Sequence, residues 1–158
     1  MKNTSGKKYI FWILLSELTG ALAALLTREG TALYQTGMRK PPLSPPALVF
    51  PLVWTILYAL MGIGAAHVDL TPPSAERRNG LRFFLVQLLF NFFWSIFFFN
   101  FQAYGFAFLW LVVLWALIVR MVLSFRETDP VAAWLQLPYL LWVLFAGYLN
   151  FGVWLLNR

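Results

Sequence analysis

Between Arg82 and Arg120 the chain carries no charged side chain, and Phe, Leu, Trp and Val crowd the interval. At about 1.5 Å per residue a helix of that length would reach roughly 55 Å. A bilayer core is only about 30 Å thick. The run therefore predicts two crossings, with a turn near Asn100–Gly105, where Asn, Gln and Gly collect. Comparable runs elsewhere predict five helices in all, at 8–27, 46–68, 80–101, 103–125 and 131–156. Each is close to the roughly 20 residues that a spanning helix needs. Pro72–Pro73 and Asp129–Pro130 mark breaks, because proline disfavours helix at the residue before it. The expected architecture is an all-α integral membrane protein: one domain over 1–158, a five-helix bundle whose only long connection is 28–45. Lys7–Lys8, an apolar stretch and Ala21-Leu22-Ala23 also resemble a signal peptide. Glu17 inside that stretch argues against cleavage.

Composition sharpens this picture. The 158 residues are 61% hydrophobic and 11% charged, against about 25% charged in soluble domains. That excludes a soluble fold. Without cysteine, no disulfide framework or thiolate metal site can form. His67 stands alone, with no second imidazole to share a metal, and reads as an interfacial residue beside Asp69. The net charge of +6 comes from basic residues scattered at the ends of apolar runs. This pattern suits lipid headgroups and does not suit nucleic acid. An odd number of spans separates the termini. Lys2, Lys7, Lys8, Arg77, Arg78, Arg82, Arg120 and Arg126 fall on the N-terminal side, against Arg28, Arg39, Lys40 and Arg158 on the other. The bias predicts a cytoplasmic N-terminus, with the first loop and the C-terminus outside. Trp12, Trp54, Trp110, Trp134 and Trp154 are expected to anchor at the interfaces.

Several positions depart from plain lipid-facing helix. Pro41, Pro42, Pro45, Pro46 and Pro51 stiffen the 28–51 segment, which cannot be helix throughout. Such an arm suits a lid over a pocket, or else a rigid spacer. Trp54, Tyr58 and Gly62 share one face of the second helix. In the third, Gln87, Asn91 and Ser95 recur at four beside Trp94 and should face the bundle interior, as interhelical bonds or as a polar lining. In the fifth, Pro138, Trp142, Ala146 and Asn150 recur at four, with Tyr139 and Tyr148 adding hydroxyls; Pro138 can kink the helix. Glu17 is the only carboxylate deep within a span, and an intramembrane acid suggests a functional role. Arg120 reads as a snorkelling side chain near a helix end. No Ser/His/Asp set, buried carboxylate pair, phosphate-cradling glycine loop or metal-ligand cluster is present, so conventional catalysis and an obligatory cofactor are not expected. An aromatic cavity with a few amides suits a large flat apolar molecule held by stacking. Transport of such molecules is the alternative, with Glu17 and the polar stripe along a route. The chain lacks the inverted repeat and matched broken helices that many transporters use.

The motifs resemble the TspO/MBR family of tryptophan-rich sensory and translocator proteins, formerly the peripheral benzodiazepine receptors. The signature stands here as Lys40-Pro41, Pro45-Pro46, Phe50, Trp54, Leu57 and Tyr58, then Gln87, Asn91, Trp94-Ser95 and Phe98. It closes with Pro138-Tyr139, Trp142, Phe145-Ala146 and Leu149-Asn150. The resemblance covers nearly the whole chain. It implies a five-helix bundle, often a homodimer, that binds protoporphyrin IX, haem and drug-like isoquinoline carboxamides and benzodiazepines beneath the first loop. Trp54 and Trp142 would be the indoles against the ligand, Asn91 its amide and Ala146 a wall, with the Tyr34 to Pro46 arm as closure. Light-dependent porphyrin degradation, reported for some bacterial members, would make Trp54 and Trp142 the photochemical candidates. Pro42-Leu43 stands where many relatives have tryptophan. Phe151 and Leu155 replace the Tyr and Arg of a proposed cholesterol motif, so cholesterol binding is not expected. The short C-terminus and the absence of a transit peptide suggest a bacterial plasma membrane protein.

Overall fold

Five helices long and apolar enough to cross a bilayer organise the chain, and the computed structural model describes residues 2–158. They are α1 (Lys2–Leu26), α3 (Val49–Leu70), α4 (Ala75–Ser95), α5 (Tyr104–Thr128), and the pair α6 (Pro130–Leu135) and α7 (Leu137–Leu156). A shorter helix, α2 (Arg28–Gly37), lies between the first two spans, and α4 continues through a π-helical turn, Ile96–Asn100. The described residues contain no strand. Helix α1 packs on α3 and α4, α4 on α5, α5 on α6 and α7, and α3 on α6. The order around the bundle is thus α1, α3, α6–α7, α5, α4.

Local chemistry explains where the boundaries differ from the periodicity. Helix α3 begins at Val49, not 46, when the Val49 amide closes a turn onto the Pro46 carbonyl (3.0 Å). Pro51 then sits in its first turn, where the missing N–H costs nothing. Helix α4 begins at Ala75, not 80, because the Ser74 hydroxyl caps the Arg77 amide (3.0 Å). The connection at 28–45 is not a loop throughout, since ten of its residues form α2. Between α6 and α7 the ladder is interrupted at Gln136, two residues before Pro138. The turn between α4 and α5 falls where expected, with Gln102 at a φ of 50°.

Met61, Phe84, Ile118, Met121 and Phe125 form a fully buried core. Gly62 sets the spacing of α1 against α3, because a Cβ there would strike the Ile13 backbone and the Trp12 carbonyl. At the end of the bundle carrying the N-terminus, Asp69 accepts from Arg77 (2.6 Å) and from the Trp12 indole (3.1 Å), and pairs with Lys8 (3.3 Å). Trp12 is therefore not an interfacial anchor. It is buried and spends its N–H on a carboxylate. The Trp110 indole likewise turns inward, donating to the Phe90 carbonyl (2.8 Å), while Trp134 is 71% exposed, as an anchor should be. Arg120 lies over the Phe83 ring, 5.6 Å from its centroid.

His67 does not pair with its neighbour Asp69. Its Nδ1 lies 3.1 Å from Asp129 Oδ2, which links the end of α3 to the start of α6. The other Asp129 oxygen caps α6, accepting from the Val131 (2.8 Å) and Ala132 (3.2 Å) amides. Partial burial pushes this carboxyl up, but the His67 ring and the two amides outweigh it and hold it below the usual 3.8. A depressed pKa contributes stability above the unfolded value and loses it as pH falls through the folded one. The detergent-solubilised protein should therefore lose thermal stability on acidification below about pH 4. Asp129→Asn, which keeps a capping oxygen, should flatten that dependence, and an unchanged acid limb would refute the assignment.

Candidate functional site

The site lies at the opposite end of the bundle, where α2 and the proline arm cross the helix ends. In α2, Thr31, Tyr34 and Gln35 fall at i, i+3 and i+4 and face inward together. Tyr34 is buried against Phe98 (5.6 Å between ring centroids), Phe99 (5.7 Å) and Phe50 (6.5 Å). Burial pushes its hydroxyl pKa up, and Tyr104 adds to the shift, so the group stays neutral. Lys40 sits 5.0 Å from the Tyr34 ring centroid and donates to the Gln35 carbonyl (2.9 Å).

Beyond α2 the arm is stapled to the end of α7. The Arg39 amide donates to Asn157 Oδ1 (3.0 Å), and Asn157 Nδ2 donates back to the Arg39 carbonyl (2.8 Å). The Tyr148 hydroxyl donates to the Pro42 carbonyl (2.7 Å). Ser44 closes a turn onto the Pro41 carbonyl (2.7 Å), and Leu43 is held at a φ of 66°. A non-glycine residue in that region is uncommon and marks a constrained turn.

Beneath this roof is a cavity of about 320 Å³, within the size range of small-molecule pockets. Its walls are aromatic. Trp54 and Trp142 both line it, from α3 and α7, with Phe50 6.1 Å from the Trp142 ring and Tyr58 5.5 Å from the Trp54 ring. Trp94 and Phe98 stack 5.3 Å apart on the α4 side. Ala146 leaves room on the α7 wall.

The floor is a chain of hydrogen bonds across three helices. The Tyr58 hydroxyl donates to Asn91 Oδ1 (2.7 Å), Asn91 Nδ2 to the Tyr139 hydroxyl (2.8 Å), and Tyr139 to Gln87 Oε1 (2.6 Å). A second link runs from the Trp94 indole to Asn150 Oδ1 (3.0 Å), and from Asn150 Nδ2 to the Tyr104 carbonyl (2.8 Å). Of the amides expected either to brace helices or to line a cavity, Asn91 does both, while Gln87 only braces. Asn91 and Asn150 have both amide atoms partnered within the protein, which leaves aromatic faces as much of the cavity surface.

Of the twelve residues singled out from the sequence, Tyr34, Trp54, Tyr58 and Asn91 line the cavity, as do Trp94, Trp142, Ala146 and Asn150. Gln87 and Tyr139 do not reach it. They are fully buried behind the floor and hold Asn91 in place. Pro45 and Pro46 also lie outside the lining, because the chain turns into α3 there and presents Ala47, Phe50 and Pro51 instead. Ser95 lines the cavity while its hydroxyl stays on the Phe92 carbonyl (2.7 Å). Glu17 is half-buried on α1 and outside the lining.

The contribution of α1 went unread in the sequence. Gly20, Ala23, Ala24 and Thr27 form one wall. They fall at i, i+3, i+4 and i+7, a face of small residues that the spacing does display. Gly20 is needed at its position, since a Cβ there would run into the Tyr58 ring.

Replacing Asn91 by Leu would strand the buried Tyr58 hydroxyl and leave Tyr139 only its bond to Gln87, at about 1–3 kcal/mol for an unsatisfied buried group. The unfolding midpoint of Asn91→Leu in detergent should fall accordingly, whereas an unchanged midpoint would remove Asn91 as the brace.

Comparison with known proteins gives one coherent result. A sequence model described as the TspO/MBR family matches residues 12–155. The chain is 38% identical over 139 residues to the Tryptophan-rich protein TspO of Chlorobaculum tepidum, covering 87% of this chain and 88% of that one. It is 36% identical over 120 residues to the Tryptophan-rich sensory protein of Cereibacter sphaeroides, covering 76% and 74%. It is 32% identical over 147 residues to the Translocator protein of Bos taurus, covering 92% and 87%.

Proposed function

This chain belongs to the TspO/MBR family of integral membrane proteins, and we propose that it is a receptor whose cavity holds a large, flat, apolar ligand of the tetrapyrrole class. The observation that carries this reading is the convergence of Trp54 and Trp142, from two separate spans, on one cavity of about 320 Å³. Indoles bury much apolar area and favour offset or edge contacts with other ring systems. Protoporphyrin IX offers such a ring system, and isoquinoline carboxamides offer a smaller one. Asn91, Tyr58 and Asn150 supply the few polar atoms that would orient the ligand. Nothing in this arrangement requires chemistry on the ligand, and binding alone accounts for the residues assembled.

Protoporphyrin IX should quench the tryptophan fluorescence of the protein in detergent. Trp142→Ala and Asn91→Ala should each weaken its binding, by about tenfold where about 1.4 kcal/mol of contact is lost. Unchanged affinity in both variants would overturn the cavity reading.

We infer as well, from the distribution of basic residues, that the cavity lies in the outer half of the membrane. Lys7, Lys8, Arg77, Arg78, Arg82 and Arg126 fall towards the end away from the cavity, where α1 and α4 start and α5 ends, while the fewer basic residues Arg28, Arg39, Lys40 and Arg158 fall towards it. Basic residues favour the cytoplasmic side. A cysteine introduced at Arg158 of this cysteine-free chain should react with a membrane-impermeant maleimide in intact cells. Labelling only after the cells are broken open would reverse the orientation.

A further inference from the structure

A second hollow, of about 510 Å³, opens between the α1–α2 junction and the π-helical turn that ends α4. Phe99 borders both hollows. Helix α2 divides its faces between them: Thr31, Tyr34 and Gln35 line the aromatic cavity, and Arg28, Glu29 and Leu33 line the second hollow. The chemistry there is different. Arg28 and Glu29 take part in none of the ion pairs among the described residues. Gly30 brings α2 directly onto the turn, since a Cβ there would strike the Phe99 carbonyl and lie 3.1 Å from Asn100 Oδ1. Asn100 is oriented by its Nδ2, which donates to the Leu26 carbonyl (3.0 Å), so its Oδ1 remains an acceptor. Within the turn, Phe101 donates to the Ile96 carbonyl (3.1 Å) and Ala103 to the Phe97 carbonyl (3.1 Å). The Phe99 carbonyl accepts from no amide among the described residues. Gln102, held at a φ of 50°, contributes a further amide to the rim.

From this we propose that the second hollow binds the headgroup of a phospholipid bearing a primary amine, of the phosphatidylethanolamine class. It lies where α1 ends, α4 turns and α5 begins, and the ends of spanning helices stand at headgroup depth. Leu25 and Leu26, both exposed on the last turn of α1, offer a surface to the acyl chains. Arg28 supplies the planar fork that matches phosphate oxygens. Glu29, Asn100 Oδ1 and the Phe99 carbonyl are acceptors, and a primary ammonium has three N–H groups to give them. The charges of Arg28 and Glu29 cancel, so a free anion gains little here, whereas a zwitterion meets both. A choline headgroup has no N–H to donate. A glycerol headgroup brings no positive charge to Glu29. This site does not depend on what occupies the aromatic cavity.

The site is tested by native mass spectrometry of the protein in nonionic detergent, offered equal amounts of dioleoyl phosphatidylethanolamine, phosphatidylcholine and phosphatidylglycerol. The amine lipid should be retained about fivefold over the other two, which corresponds to about 1 kcal/mol. Glu29→Gln should bring retention of the amine lipid down to that of the choline lipid. Arg28→Gln should lower retention of all three. Both side chains are exposed, so each variant should keep the unfolding midpoint of the unmodified chain. Equal retention of the three lipids by the unmodified chain overturns the proposal, and so does a preference for the amine lipid that survives both substitutions. Glycerophosphoethanolamine, the same headgroup without acyl chains, should fail to displace the lipid even in large excess. Displacement by it would assign the hollow to a soluble phosphoamine and overturn the lipid reading.

Discussion

Hydrocarbon offers no hydrogen bonds, so polar groups carried into the membrane by this chain are stabilised by partners within the protein. That constraint selects which faces of the helices meet. Tyr58, Asn91, Tyr139 and Gln87 come from α3, α4 and α7, and their chain of hydrogen bonds fixes the rotation of all three about their axes. Trp94, Asn150 and the Tyr104 carbonyl do the same for α4, α7 and the start of α5. The aromatic side chains that share those faces are thereby turned inward together. A cavity forms above the polar floor because inward positions on α1 and α7, Ala23 and Ala146, are too small to fill it.

The two ends of the bundle solve different problems. Around Asp69 and Asp129, carboxylates gather Lys8, Arg77, Trp12 and His67 and tie α1, α3, α4 and α6 together. Charge closes that end. At the other end the closure is a stiff arm, with prolines restricting its backbone and hydrogen bonds to Asn157 and Tyr148 anchoring it on α7. A roof built this way protects the cavity from water without filling it.

Family membership and geometry bear on different questions. The match over residues 12–155 gives the architecture and the membrane setting. The hydrogen bonds that hold the cavity's floor and roof are a property of this structure.

Much of this was written in the order of residues along the chain. The long uncharged runs determined five crossings, because a segment without charges has lipid as its most favourable solvent. The interval of four along α4 and α7 determined which side chains would share a face, and Asn91, Ser95, Trp142, Ala146 and Asn150 of those intervals line the cavity. Periodicity gives a direction around one helix, but not the depth at which neighbouring helices cross. That is why Gln87 and Tyr139 proved to be supports behind the floor, and why Trp12, read as an anchor, proved to be a partner of Asp69. The register between helices likewise decided that His67 meets Asp129, 62 positions away in sequence, and not its neighbour Asp69. The small-residue face of α1 was visible as a spacing, but its meaning depended on what stood opposite. Whether a glycine or alanine admits another helix or leaves a hollow is settled only when the chain has folded and the large side chains around it have taken their places.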